Sequence, residues 1–270
     1  EGDSIQNQLI ELQIITQEDW DEGVRAAGGS SDPRRVLHEL TKVRAQWNLS
    51  GTQYPALTEF QLQQILGNRA ERLVLEHYII LDRLGAGGMG EVFKARNLSL
   101  PRLEAVKTIL SEGSGGSTGT GAHELERFKR EARLLAQLDH RYVTTVHHAG
   151  RAHGVNFIAM EYVSGQNLKQ IVEETLSDGE QVPVWWAVER IIGVAEALHH
   201  AHEKGIIHRD VKPQNIMITD KNDLRVLDLG IARLAGDSTG SDQTGALTQE
   251  ATSLGTPDVM SPEQWANAKA

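Results

Sequence analysis

Hydrophobic residues in the first seventy positions recur at helical spacing, in segments that open on a threonine. Thr16 is followed three positions later by Asp19, and Thr58 is followed three positions later by Gln61. A threonine with an acid or an amide at this spacing is typical of a helix N-cap whose partner bonds back to the cap. The pattern predicts a helix start at each threonine and a small helical bundle over residues 1–70.

A third helix is predicted between these two starts. Asp32 precedes Pro33, and proline is favoured at the first position of a helix. The apolar residues that follow keep helical spacing, which predicts a helix with the face Val36, Leu37, Leu40, Val43 and Trp47. Two interpretations of the bundle stay open: a module that binds a partner protein or regulates the chain, and a helical prefix that packs on the domain that follows.

From residue 78 onward, short apolar runs typical of strands alternate with longer helical patterns. Strands are predicted at 78–84, 91–95, 105–110, 155–160, 216–218 and 224–227. Helices are predicted at 123–138 and 185–204, and Gly205 ends the second of them in the left-handed conformation that glycine favours. The tract at 111–121, rich in Gly, Ser and Thr, is predicted to be a loop.

Composition narrows the classes of function. The 270-residue chain has a net charge of −10, which argues against general nucleic-acid binding because no dominant basic surface is available. It contains no cysteine, so disulfides and zinc–thiolate sites are excluded, in keeping with a cytoplasmic protein. The sequence shows no signal peptide and no apolar run long enough to span a bilayer.

The densest group of reactive side chains lies between Ile206 and Asn215, where a short apolar strand is predicted to lead into a polar turn. Pro213 restricts the backbone of this turn and disfavours a helix there. Asp210, Lys212 and Asn215 offer a carboxylate that can take a proton, a cation for anionic oxygen, and an amide oxygen suited to a hard metal ion. A solvated surface turn would have the same composition, and that alternative stays open on these residues alone.

A glycine-rich run lies upstream, with Gly85, Gly87 and Gly90 at the spacing of a phosphate-binding loop. Glycines let the backbone approach phosphate oxygens closely. A dinucleotide-binding fold would need the third glycine to open a helix and an acidic residue about twenty positions later. Here Val92 and Phe93 begin a strand-like segment and position 107 is a lysine, so a hairpin over the phosphates is predicted. The chain also lacks the P-loop pattern of nucleotidases.

A lysine and a glutamate are each predicted in apolar surroundings. Lys107 is the one charged residue of the strand at 105–110, and Glu131 lies between Phe128 and Leu135 on the apolar stripe of a helix. An ionised carboxylate there is costly unless it is paired, so Lys107 is its natural partner. The alternative is a partly solvated glutamate at the edge of the stripe.

In this order the motifs resemble those of protein kinases. Asp210 and Asn215 stand five positions apart, as the catalytic base and the metal-binding asparagine do in that family, with the glycine run upstream and Asp228-Leu-Gly downstream. The resemblance is to bacterial members of the eukaryotic-like (Hanks-type) serine/threonine kinases. It implies an α+β, protein-kinase-like bilobal fold.

The resemblance divides the chain into three parts. A small helical segment at 1–70 and a linker at 71–77 precede a kinase domain at 78–270. Within that domain it implies a β-rich small lobe at 78–160 and a helical, incomplete large lobe at 161–270. The resemblance ends near residue 266, before the helices that complete a kinase large lobe. We therefore expect a fragment of a longer protein, or a lobe that exposes apolar surface.

The resemblance also implies the roles of individual residues. Asp210 accepts a hydroxyl proton and Lys212 stabilises the transferring phosphoryl group, while Lys107, paired with Glu131, holds the α- and β-phosphates. Asn215 and Asp228 hold Mg²⁺, or Mn²⁺ in its place. The ATP contacts implied are Gly85, Ala86, Gly87, Gly88, Met89, Gly90, Val92, Ala105, Lys107, Met160, Glu161, Val163 and Met217.

A polar segment at 231–254 resembles a flexible activation loop. By resemblance, Arg209 is placed to bind a phosphate on this loop through charge-assisted hydrogen bonds. The candidate phosphorylation sites are Thr248 as first choice, then Thr252 and Ser253. Thr256 together with Lys212 resembles the serine/threonine-specific branch of the family rather than the tyrosine-specific branch.

The function implied is an ATP-dependent serine/threonine protein kinase that phosphorylates its own activation loop. Its expected partners are ATP, protein substrates with Ser or Thr, and a partner protein at the N-terminal helices, without nucleic acid. The alternative is a catalytically impaired fragment or pseudokinase scaffold that binds nucleotide, and binds partners through those helices. An unrelated ATP-binding enzyme would require the ordered motifs to coincide by chance.

Overall fold

A computed structural model of the chain describes residues 2–49, 52–87, 90–109, 121–229 and 262. The chain forms two compact units. Unit 1 comprises residues 1–108 and 150–157, and unit 2 comprises residues 109–149 and 158–270. The N-terminal segment therefore shares a unit with the strands that begin at residue 78.

The predicted helix starts in the N-terminal segment are confirmed. The helices are α1 (Gly2–Glu11), α2 (Gln17–Ala26), α3 (Pro33–Leu40) and α4 (Glu59–Leu66). Thr16 with Asp19, and Thr58 with Gln61, each form a reciprocal capping box that satisfies two otherwise unpaired backbone donors. Asp32 caps α3, with proline at its first position.

The prediction that the third helix continues to Trp47 is wrong. Helix α3 ends at Leu40, and the chain continues as the antiparallel strands β1 (Arg44–Leu49) and β2 (Thr52–Pro55). The rings of Trp47 and Tyr54 stack across this hairpin, with centroids 4.9 Å apart. Such an aromatic pair stabilises two strands, and tertiary contact of this kind overrides local helical spacing.

The predicted linker at 71–77 contains ordered elements: a 3₁₀ turn (Ala70–Leu73) and the short strand β3 (Val74–Leu75). The longer strands that follow are β4 (Tyr78–Gly87), β5 (Gly90–Asn97), β6 (Arg102–Ile109), β7 (Val146–Ala152) and β8 (Val155–Glu161). They form a six-stranded sheet in the order β3-β4-β5-β6-β8-β7. The predicted hairpin around the glycine run is thus confirmed as β4 and β5.

A buried polar network joins β4, β5 and β6. Glu104 is fully buried and accepts hydrogen bonds from Asn97 Nδ2 at 2.9 Å and Arg102 Nε at 2.7 Å. Burial, together with the neighbouring Glu104 carboxylate, raises the pKa of the Tyr78 hydroxyl. A buried polar network of this kind favours one strand register over others.

Unit 2 contains α5 (Gly121–Leu135), β9 (Gly165–Asn167), α6 (Leu168–Ser177), α7 (Val184–Glu203), β10 (Ile216–Thr219) and β11 (Leu224–Val226). Its small sheet has the order β11-β10-β9. Gly205 follows α7 with φ +71°, as predicted for a helix that ends on glycine. No helix among the described residues is long and apolar enough to cross a membrane.

The strand predicted at Ile206 is wrong, because residues 206–212 carry no strand assignment and lead into a 3₁₀ turn (Pro213–Asn215). Pro213 opens that turn, so it starts a helical turn where the sequence predicted none. On α7, five apolar side chains are between 51% and 78% exposed: Val184, Trp185, Val188, Ile191 and Ile192. This agrees with the expectation of exposed apolar surface in the second half of the chain.

Candidate active site

Two polar side chains of the loop after α7, those of Lys212 and Asn215, converge on the carboxylate of Asp210. Lys212 Nζ lies 2.7 Å from Asp210 Oδ2. Asn215 Nδ2 donates to the same oxygen at 3.0 Å and to the Asp210 carbonyl oxygen at 2.8 Å. The 3₁₀ turn that begins at Pro213 brings Asn215 back over Asp210, with Lys212 at its N-cap. The predicted cluster is therefore a real constellation.

The two carboxylate oxygens of Asp210 have different surroundings. Oδ2 is held by a cation and an amide, whereas Oδ1 is buried and has no hydrogen-bond partner among the described residues. A buried acceptor without a partner is costly, and such atoms occur where a ligand or a reacting group completes the site. The side chain as a whole is 19% exposed, and Oδ1 is its one oxygen that is left as an unused acceptor among the described residues.

His208 connects the two predicted acidic residues, and sequence reasoning assigned it no role. Its side chain is buried, and Nδ1 accepts from the Asp210 backbone N–H at 3.3 Å. Burial lowers the pKa of His208, while the Asp228 and Asp210 carboxylates oppose that shift. Both carboxylates therefore act on one imidazole. Ile206 and His208 are buried while Ile207 and Arg209 are exposed, an alternation that the sequence itself does not show.

The β10–β11 hairpin delivers Asp228 to this loop, as predicted. The backbone N–H of Leu227 donates to the Asn215 carbonyl at 2.8 Å, immediately before Asp228. Asp228 and Arg209 both have positive φ, +56° and +67°. Non-glycine residues in this left-handed region cost free energy and cluster at functional sites. Arg209 lies in the loop and Asp228 lies next to a residue that bonds to it, and two such residues at one place support a functional role for the loop.

In unit 1, the glycines of the β4–β5 hairpin differ in what surrounds them. Gly90 has φ +134°, and a Cβ there would lie 1.9 Å from the Thr108 carbonyl oxygen, so the fold itself requires glycine. A Cβ on Gly85 or Gly87 would meet no atom of the described residues within 4 Å. Packing does not require glycine at those two positions, and they leave open backbone that phosphate oxygens can approach. Gly88 and Met89 lie outside the described residues.

The nucleotide residues predicted in unit 1 lie on neighbouring strands. Val92 pairs with Gly85 on β4 and with Lys107 on β6, and Ala86 pairs with Glu91. Lys107 is only 7% exposed, and Ala105 on the same strand is also buried. A buried ammonium group opposite the glycine hairpin is suited to an anionic ligand.

The remaining predicted nucleotide residues lie in unit 2. Met160 is buried at the end of β8, and Glu161 and Val163 are half-buried after it. Glu161 Oε1 lies 3.6 Å from Arg225 Nε on β11. Met217 is half-buried on β10, paired with Asn167. Met160 and Glu161 thus lie on a strand that precedes the loop of Asp210 in sequence, and Met217 lies on one that follows it.

Several predictions stay untested by this geometry. Lys107 and Glu131 belong to the two different units, so their ion pair remains a prediction. The predicted regulatory residues Thr248, Thr252, Ser253 and Thr256 lie outside the described residues. Arg209 is described and exposed, and its role as a phosphate ligand also remains a prediction.

The donor set fits a hard divalent cation. Asn215 uses its amide nitrogen on Asp210, which leaves its amide oxygen for a metal, and Asp228 supplies a carboxylate. Oxygen-only ligands of this kind suit Mg²⁺ or Mn²⁺, and no cysteine is present to select a softer metal.

Comparisons with known proteins show which family this chain is similar to. The family described as "Protein kinase domain" matches residues 78–269. The probable serine/threonine-protein kinase PknB of Corynebacterium glutamicum is 40% identical over 197 residues, which are 69% of this chain and 28% of that protein. Serine/threonine-protein kinase pkn3 of Myxococcus xanthus is 41% identical over 198 residues, which are 69% of this chain and 33% of that protein. The chain therefore spans a minor part of the length of these relatives.

Among solved structures, the kinase domain of PknI from Mycobacterium tuberculosis is similar, at 30% sequence identity and a TM-score of 0.49. The match covers 58% of this chain and 61% of that one.

Proposed function

Because the chain belongs to the protein kinase family, in its bacterial serine/threonine branch, we propose that the whole protein transfers the γ-phosphoryl group of ATP to serine or threonine hydroxyls of proteins. The observation that carries this proposal is the asymmetry of Asp210. One of its oxygens is held by Lys212 and Asn215, and the other, which has no hydrogen-bond partner among the described residues, is the proposed proton acceptor.

The residues divide the reaction between them. Asp210 Oδ1 takes the proton of the attacking hydroxyl as the oxygen–phosphorus bond forms, and the bond to ADP breaks. Lys212 supplies positive charge beside that oxygen, where negative charge develops on the phosphoryl group. Lys107 holds the α- and β-phosphates under the open backbone of Gly85 and Gly87. Asn215 and Asp228 would hold a divalent cation, which would neutralise charge on the phosphates.

Finer assignments belong to the same proposal. The cation is Mg²⁺ in preference to Mn²⁺, because two hard oxygen ligands with room for water suit Mg²⁺. The side chains proposed to contact the adenine are Val92 and Ala105 of unit 1, and Met160, Glu161, Val163 and Met217 of unit 2. Ala86, Gly88, Met89 and Gly90 complete the cover over the phosphates.

The proposed organisation and regulation follow from the same family. The N-terminal segment spans 1–70, the linker 71–77 and the kinase domain 78–270, with residue 160 as the boundary in sequence between its small and large lobes. A phosphate on Thr248, Thr252 or Ser253 binds Arg209, and Thr256 shapes the substrate site. The protein acts in the cytoplasm on protein substrates, and the N-terminal helices offer a surface for a partner protein.

The experiment follows phosphate transfer and nucleotide binding in the same preparation. The chain is incubated with Mg²⁺ and ATP labelled at the γ-position, with a generic basic protein as substrate, and ATP binding is titrated calorimetrically. Label in the substrate or in the chain itself supports the proposal. Binding of ATP without any transferred label would favour a nucleotide-binding scaffold, and absence of both would contradict nucleotide function in this chain.

A further inference from the structure

The second capping box of the N-terminal segment is bonded to the strand that begins the phosphate-covering hairpin. Gln61 is 2% exposed, and its Nε2 donates to the Ile80 carbonyl on β4 at 2.8 Å. The Thr58 hydroxyl donates to the next carbonyl, that of Leu81. The pairing of β4 with β5 shifts register at this place, between Ile80 and Asp82. Two successive carbonyls of β4 beside this irregularity thus accept hydrogen bonds from side chains at the start of α4.

The two capping boxes of the segment differ in the residue that makes this bond. Asp19 and Gln61 occupy equivalent positions and both accept from the backbone N–H of their threonine, at 2.8 Å and 3.0 Å. A carboxylate has only acceptors, whereas an amide also has two donors. Gln61 therefore caps its helix with oxygen and binds β4 with nitrogen. The first box lacks that capability.

The same segment also holds β5, the second strand of the hairpin. The ring of Phe60 packs against Phe93, with centroids 6.1 Å apart. Arg96 Nη2 donates to the Gln13 carbonyl at 2.9 Å, and its guanidinium lies over the Trp47 ring, 4.6 Å from the centroid. Burial lowers the pKa of Arg96, and the charge of Asp19 opposes this shift. Both capping-box residues, Asp19 and Gln61, therefore act on the hairpin.

From these contacts we propose that residues 13–66 are a built-in positioning element for the phosphate-covering hairpin. Gln61 is the positioning residue for β4, and Phe60 and Arg96 provide the contacts to β5. By holding both strands, the segment places the open backbone of Gly85 and Gly87 before nucleotide arrives. A loop ordered in advance loses less entropy on binding, so the segment raises nucleotide affinity. The inference rests on the proposed function, because it assigns phosphates to this hairpin.

The test replaces Gln61 by glutamate in the whole 270-residue chain. Q61E keeps an oxygen to accept from Thr58, so the cap is retained, but the carboxylate cannot donate to the Ile80 carbonyl. Q63E is the matched control, because Gln63 is exposed on the same helix and undergoes the same change of charge. Phe60→Leu is a second variant, which removes the ring contact with Phe93 and serves if Q61E does not fold.

Two measurements are made on each variant. Hydrogen–deuterium exchange without nucleotide reports the opening of residues 78–87, and calorimetry reports the Kd for Mg-ATP. We expect Q61E to speed exchange in β4 by up to about tenfold and to raise the Kd for Mg-ATP by up to about tenfold. Changes of this size are what the loss of one buried hydrogen bond allows. Phe60→Leu should change both quantities in the same direction, and Q63E should leave both at the wild-type level.

The outcomes separate this inference from the proposed function. If Q61E matches Q63E in exchange, or speeds exchange without weakening ATP binding, the segment only packs on the sheet and the inference is overturned. If the wild-type chain binds no ATP, the proposed function fails, and with it the claim on affinity. The exchange measurement uses no nucleotide, so it still shows whether Gln61 positions the hairpin.

Discussion

Asn215 holds Asp210 at two points, with its amide nitrogen 2.8 Å from the Asp210 carbonyl oxygen and 3.0 Å from Oδ2 of the carboxylate. The donor thus fixes the backbone and the side chain of the proposed base together. In the proposed function, this one side chain both aligns the base and offers its amide oxygen to the metal. The position is therefore sensitive to the exchange of the amide for a carboxylate.

Replacing Asn215 by aspartate should shift the pH dependence of phosphate transfer to higher pH. The new carboxylate keeps an oxygen for the metal but places like charge beside Asp210 Oδ2, which disfavours the state in which both carboxylates are ionised. The measurement is the rate of label transfer across pH 5.5 to 9, in steps of about half a unit. Asn222→Asp is the control, because Asn222 lies outside this loop and its oxygen can still accept from Arg190. Identical profiles for N215D and wild type would rule out this coupling.

Replacing His208 by asparagine should reduce the fall in the free energy of unfolding that occurs as the pH drops below 6.5. Burial holds the pKa of His208 below its ordinary value of 6.5, so the unfolded chain binds a proton that the folded chain does not. The free energy of unfolding therefore falls as pH drops below 6.5, by at most about 1.4 kcal/mol per pH unit for this one group. Asparagine can still accept from the Asp210 N–H but does not titrate.

The measurement for His208→Asn is urea unfolding between pH 7.5 and 5.5 in chelator, compared with wild type. A smaller loss of stability in the variant is expected. An unchanged slope would mean that His208 is protonated in the folded chain as readily as in the unfolded one.

Alanine at Gly90 should lower the stability of the fold, whereas alanine at Gly85 should weaken ATP binding and leave stability nearly unchanged. At Gly90 the positive φ and the 1.9 Å approach to Thr108 predict a loss of stability of about 1–3 kcal/mol or more. At Gly85 no atom in the described part of the chain lies within 4 Å of the added methyl group, so stability should change by less than about 0.5 kcal/mol. The methyl group would instead meet bound phosphate and weaken ATP binding by about tenfold, a cost of 1.4 kcal/mol.

Urea unfolding and ATP titration of both glycine variants make this comparison. Each variant is the control of the other, since the chemical change is the same. Equal loss of stability in the two, or unchanged ATP affinity in G85A, would contradict the assignment of the open backbone to phosphate.

Local rules predicted much of the fold. Both threonine capping boxes, the Asp32-Pro33 start and the glycine after α7 form as expected, because each depends on neighbours within one helical turn. Trp47 was placed on a helix because its spacing from Leu40 and Val43 fits one. The stacking partner that makes it a strand residue, Tyr54, lies beyond a turn and gives no periodic signal.

The site was predicted through the order of its motifs rather than through geometry. The spacing of Asp210, Lys212 and Asn215 indicated a cluster, and the structure brings them within hydrogen-bond distance. Two roles escaped prediction because they arise only in three dimensions. His208 gains its position from burial between two carboxylates, and Gln61 gains its second bond from a β4 carbonyl beside a strand irregularity.

The most direct test of the central claim compares Asp210→Asn with Asp223→Asn in label transfer and ATP binding. Asp223 is an exposed carboxylate on the turn of the adjacent hairpin, so D223N makes the same chemical change outside the site. We predict that D210N lowers the transfer rate by about 10²- to 10⁴-fold, the range for loss of a general base, with ATP affinity unchanged, and that D223N behaves as wild type. Transfer by D210N at the wild-type rate would contradict the account.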